Sequence, residues 1–137
     1  MRQTRDAYLM ARLAVGISMF GHGLVRMPKL QGFSNWMMGQ FQKSILPPSL
    51  VHAFSYVLPF AELITGLLLL LGLFTRFALI AGCFLMLILL FGSTTIENWD
   101  AIPTQLIHVA FFTVLLAFHA HNHWAADNLL IKKTSML

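Results

Sequence analysis

The chain has 137 residues, of which 58% are hydrophobic and only 10% charged, with a mean hydropathy of +0.74. A soluble domain of this length buries only about 60 to 70% of its unfolded surface and has no place for so much apolar side chain. The composition excludes that class and reads as one integral membrane domain over residues 1–137, while the formal charge of +4 sits in terminal and connecting segments and bears on membrane orientation rather than on nucleic acid.

Four apolar segments, each near the roughly 20 residues needed to cross hydrocarbon, are expected at about residues 7–25, 51–74, 76–91 and 103–124. Strands would alternate in polarity, which these runs do not, and backbone groups in lipid must be satisfied internally, so the expected fold is an all-α four-helix membrane bundle. The first segment starts with bases as a signal peptide does. Arg12 interrupts its apolar run and no small-residue cleavage site follows, so it is read as a retained span.

Between the first two spans, "RMPKLQGFSNWMMGQFQKSILPPS" places Phe33, Trp36, Met37 and Phe41 on one helical face and ends at Pro47 and Pro48. That pattern predicts a short amphipathic helix, either lying on the membrane surface or lidding the bundle. Only "GLFTR" separates the second span from the third, which makes them antiparallel neighbours. Arg2, Arg5, Arg12, Arg76, Lys132 and Lys133 fall at one set of ends, against Arg26, Lys29 and Lys43 at the other, where "STTIENWDAI" adds two acids. The positive-inside rule then puts both termini in the cytoplasm.

Chemistry is concentrated in the few polar residues inside these spans. Glu62 lies near the middle of the second, where an ionised carboxylate costs on the order of 3 kcal/mol or more unless it is paired. Arg12, about one turn into the first span, is the expected partner. Arg12, Gly16, Met19 and Gly23 share one helical face, and Ser55, Pro59, Glu62, Thr65 and Gly66 share another. Small residues beside the charges would let the two helices approach closely. Gly66, Gly72 and Gly82 leave a homo-oligomer plausible by the same logic.

Histidines give the second signal. His22, His52 and His108 come from three spans at similar depth and are candidates to converge, and on the fourth span Gln105, His108, Phe112, Leu115, His119 and His123 fall on or near one face. Neutral imidazoles hydrogen-bond a quinone carbonyl or ligate haem or a metal. His119 and His123 lack an accompanying carboxylate or cysteine motif, so no metal site is expected, haem is the less favoured cofactor, and backbone, water or headgroup contacts are the plainer alternative. Cys83 is the lone cysteine, which excludes an internal disulfide or a thiol relay. Trp36, Trp99 and Trp124 fall near span ends, as interfacial anchors do.

"RLAVGISMFGHGLVRMPK", followed by "AELITGLLLLLGLFTRFALIAG", resembles the DoxX family of small four-helix bacterial membrane proteins over about residues 11–92. The first stretch is similar to that family's Arg, Gly, His-Gly and distal Lys pattern, and the second to its Glu, Gly-Leu-rich run and Thr-Arg turn. The resemblance implies an inner-membrane protein linked with oxidoreductase complexes or with assembly of other proteins, and carries functional roles onto Arg12, His22 and Glu62.

Two functions follow as expectations. In the first, the chain is a quinone-interacting subunit or accessory of a membrane oxidoreductase system: Glu62 and Arg12 move protons, and His22, His108, His52 and His119 are the candidate cofactor contacts. No dinucleotide or flavin motif is visible, so electrons would come from a partner protein. In the second, it is a non-enzymatic scaffold or assembly factor whose Arg12–Glu62 pair is structural.

Overall fold

The computed structural model describes residues 2–129, so Lys132 and Lys133 of the charge-bias argument lie outside the described residues. The main helices among the described residues are α1 (Arg2–Arg26), α2 (Leu30–Gln40), α3 (Pro48–Leu71), α4 (Thr75–Thr95) and α5 (Ile102–Ala117), with short 3-10 turns at Met27–Lys29 and His119–His121. α1, α3 and α4 lie in segments long and apolar enough to cross a membrane, and α5 is apolar but shorter. Their outer faces carry exposed Ile17, Leu24, Val57, Ile64, Phe77, Phe84, Ile107 and Val114. A belt of that kind is stable against lipid and not against water. The fold is an all-α membrane bundle of four helices, with α2 as the expected short helix between the first two.

α1 and α3 pack antiparallel and are nearly in backbone contact. A Cβ on Gly23 would meet the Leu63 nitrogen at 2.5 Å and the Pro59 oxygen at 2.6 Å, and one on Gly66 would collide with the Phe20 backbone. Between helices already surrounded by hydrocarbon there is little hydrophobic drive, so close packing of this kind holds the pair together. α4 and α5 close the bundle in the same way, with the Phe112 ring seated where a Gly82 side chain would be. Gly66, Gly72 and Gly82 are therefore all covered within the chain, which removes the glycine argument for a homo-oligomer.

Helix ends follow local chemistry. α3 starts with Pro48 in its first turn, where a missing N–H costs nothing. It stops at Gly72, φ +65°, whose N–H donates to the Leu69 carbonyl while the Leu73 N–H donates to Leu68. That is a Schellman stop, and it produces the tight turn into α4. α2 is held on the bundle by the buried Ser34 hydroxyl, 2.6 Å from that of Ser55, and by the buried Met37. It therefore covers the bundle end, in the lid arrangement.

Two helices differ in length from the apolar segments in which they lie. α4 continues past the expected residue 91 to Thr95. α5 has 16 residues, about 24 Å at 1.5 Å per residue, and gives way to a 3-10 turn at His119, within the expected segment 103–124. The helical stripe therefore ends at Leu115, and His119 and His123 are not on an α5 face.

The α1–α3 approach yields a test. Gly23→Ala should separate the helices or strain the Pro59–Leu63 turn, costing about 1 to 3 kcal/mol, whereas Gly21→Ala, which meets nothing within 4 Å, should be tolerated. Thermal unfolding of the two variants in detergent reads the difference.

Candidate functional site

Glu62 is 2% exposed, at the level of α1 where Gly23 meets Pro59 and Leu63. In antiparallel helices with this register, the α1 residues facing Glu62 are those near Gly23. Arg12 is eleven residues away, about 16 Å along the axis. The ion partner is instead Arg26, whose Nη1 lies 2.5 Å from Glu62 Oε2. The expected Arg12–Glu62 pair is therefore wrong in its arginine. Arg26 lies one turn beyond Gly23 on the stripe formed by Arg12, Gly16, Met19 and Gly23, and extending that stripe by a turn would have found it.

Arg12 has a different set of partners at the opposite end of the bundle. It is 2% exposed, and its Nη1 donates to Asn122 Oδ1 at 2.6 Å while Nη2 donates to the Trp124 carbonyl at 2.7 Å. Asn122 Nδ2 donates in turn to Thr75 Oγ1 at 3.0 Å. Asp127 accepts from the N–H groups of Phe74 and Thr75 at 2.6 and 2.9 Å, capping α4. The chain after α5 is thereby latched across the α3–α4 turn, and Arg12 is the centre of the latch.

Around Glu62 and Arg26 the bundle is hollow. A cavity of 730 Å³ opens between α1, α3, α4 and α5 beneath α2, and its polar lining includes Ser18, His22, Arg26, Glu62, Gln105 and His108, with Gln40 and Asn98 also on the wall. The larger part of the wall is apolar or aromatic, with Phe33, Trp36, Phe41, Phe54 and Phe91 prominent. Size and lining match those of small-molecule sites, which are mostly apolar with a few placed polar groups.

Each polar group has a definite disposition. His22 and His108 converge, with ring centroids 6.3 Å apart. His108 Nδ1 lies 2.8 Å from the Thr104 carbonyl, which can only accept, so Nδ1 carries the proton; in the neutral ring Nε2 then accepts from the Ser18 hydroxyl at 2.8 Å. Both His108 nitrogens are thus engaged within the protein. The Arg26 guanidinium stacks over Phe33 of α2 at 4.6 Å, tying the covering helix to the ion pair. Gln105 Nε2 donates to Ser93 Oγ at 2.8 Å, and its buried Oε1 has no partner among the described residues.

Two expected site residues lie elsewhere. His52 is exposed and packs edge-on against Tyr56 at 5.3 Å, one position too far round α3 to enter the cavity. His119 is in the 3-10 turn at the latch end, where its buried Nε2 has no partner among the described residues. Ser18, Arg26 and Gln105 join His22, His108 and Glu62 instead. Gln105 and His108 were already on one expected face of the fourth span; Ser18 carried no signal beyond its place one turn before His22.

This fold and site define a small helical membrane protein with an internal cavity of ligand size. The chain belongs to the DoxX family, whose model, described as DoxX, matches residues 7–94. The match contains Arg12, His22, Arg26 and Glu62 and ends before α5, so Gln105 and His108 lie beyond it. Neither the search of curated proteins nor that of solved structures gives a match.

The two arginines should separate in a simple experiment. Arg12→Gln, which removes two charge-assisted hydrogen bonds of about 1.5 to 3 kcal/mol each, should raise hydrogen exchange across residues 119–129 with little change near α2. Arg26→Gln, which leaves Glu62 without its counter-charge, should raise exchange in α2 and the adjoining part of α3 instead.

Proposed function

We propose that this DoxX protein is a quinone-interacting subunit or accessory of a membrane oxidoreductase system. The observation that carries the reading is the coincidence of an ion pair and two converging histidines with an apolar cavity whose wall includes the outward-exposed Leu50, Ile88 and Phe91. Exposed apolar residues that also line the cavity suit a ligand that arrives from the bilayer with an apolar tail. The protein is assigned to a bacterial inner membrane with both termini cytoplasmic, which turns the cavity and α2 outward.

His22, which has no hydrogen bond among the described residues, contacts the ligand head. His108 is held in one orientation by Thr104 and Ser18 and forms the facing wall. Glu62 Oε1 accepts no hydrogen bond among the described residues, so this oxygen receives or releases the ligand's proton, while Arg26 holds the carboxylate in place. Electrons are exchanged with a partner protein, since the chain has one cysteine and no dinucleotide motif. In this reading Arg12 positions the far end of the bundle and touches no ligand.

The second reading, a scaffold or assembly factor, is favoured by the Arg12 latch, which shows how readily this fold uses a buried arginine to fix its own geometry. Under it the Glu62–Arg26 pair only sets the register of α1 on α3.

The readings part on two measurements. A native mass spectrum of gently purified protein should release a stoichiometric quinone under the first. Glu62→Gln, and His22→Ala with His108→Ala, should each lower quinone binding at least about tenfold at unchanged folded yield. Function that falls only in proportion to folded protein would support the scaffold.

A further inference from the structure

The latch end of the bundle, opposite the cavity, carries a second recess, and we infer that it is a headgroup site for an anionic phospholipid. Arg2, Arg5, His123 and Trp124 line a space of 480 Å³ there. Residues from the start of α1 thus meet residues from the segment after α5. Neither Arg2 nor Arg5 has an ion partner among the described residues, although Asp6 is their neighbour on α1. The other carboxylate at this end, Asp127, is committed to the N–H groups of Phe74 and Thr75. The recess therefore presents positive charge with no acid to balance it.

The donors suit a phosphate. Two guanidinium groups offer planar forks of N–H donors that match phosphate oxygens, and His123 and Trp124 add a ring N–H each. The surroundings suit a lipid in preference to a free anion. Trp124 is 62% exposed, and tryptophan settles at the level of the headgroups. Arg2, Arg5 and Leu9 follow one another at i, i+3 and i+7 and share one face of α1, and Met10 beside Leu9 is 64% exposed. A phosphate held in the recess leaves its acyl chains against this apolar stretch of helix. Basic pockets at the ends of membrane helices take anionic headgroups in this way. The bound headgroup bridges the first turn of α1 to the segment that Arg12 already latches, as a second clasp on it.

The test places the full chain in nanodiscs of phosphatidylcholine, alone or mixed with phosphatidylglycerol of the same acyl chains. Native mass spectrometry counts the lipid retained, and hydrogen exchange reads residues 119–129. One phosphatidylglycerol should be retained with an affinity about tenfold or more above that for phosphatidylcholine, with slower exchange over that segment. Arg2→Gln combined with Arg5→Gln should abolish both effects. Arg76→Gln removes an exposed base near the same end that does not line the recess, and should leave both unchanged. Equal retention of the two lipids, or retention untouched by the double substitution, would overturn the inference. An equal loss with Arg76→Gln would replace the site by diffuse surface charge and overturn it too. If inorganic phosphate in phosphatidylcholine discs gave the same protection, the recess would belong to a free anion and the lipid assignment would fall.

Discussion

A carboxylate buried among apolar helices needs a counter-charge at its own depth, and the register of α1 against α3 decides which arginine provides it. Gly23 against Pro59 and Leu63, and Gly66 against Phe20, allow one alignment at near-backbone contact. Any axial slip would bring side chains against those glycines. With that alignment Glu62 meets Arg26 and not Arg12, and the polar centre of the molecule lies beneath α2. The ion pair and the glycine seam depend on each other: the seam brings the charges together, and an unpaired Glu62 would oppose the packing that buries it.

Arg12 shows the same economy at the other end. Its guanidinium collects Asn122 and Trp124, Asn122 reaches Thr75, and Asp127 caps α4 through Phe74 and Thr75. Gly72 belongs to this arrangement, because a side chain there would occupy the place of the Arg12 guanidinium and of Ala125. The strained positive φ of Phe74, +47°, is held by the Asp127 bond to its N–H. α5 ends early for the same reason, since the residues after Ala117 fold back into the latch. The bundle is thus tied at its turn end by hydrogen bonds and left hollow at its α2 end.

That division of labour frees the α2 end for a ligand. The aromatic wall, the Ser34–Ser55 bond and the Arg26–Phe33 stack hold α2 over the cavity without filling it.

Periodicity and composition were enough for much of this structure. Helices in lipid must satisfy their own backbone, so apolar runs imply helices, and a 3.6-residue repeat implies faces. The buried stripes of α1 and α3, the amphipathic α2 and the tight Gly72 turn were legible for that reason, as were the convergence of His22 with His108 and the DoxX likeness. Pairing was not legible, because it depends on the axial register of two helices, and one-dimensional spacing leaves register free. Two arginines on one α1 stripe were both eligible for Glu62, and only backbone contact at Gly23 and Gly66 selects Arg26. His52 and His119 were misplaced for related reasons: a one-residue turn of about 100° takes a side chain off the inner face, and the early end of α5 removes the helix that His119 needed. The sequence alone determined that this is a helical membrane protein with charges and histidines inside it. The tertiary structure decided which of them meet, because close packing converts a pattern repeated along each helix into a single alignment between two.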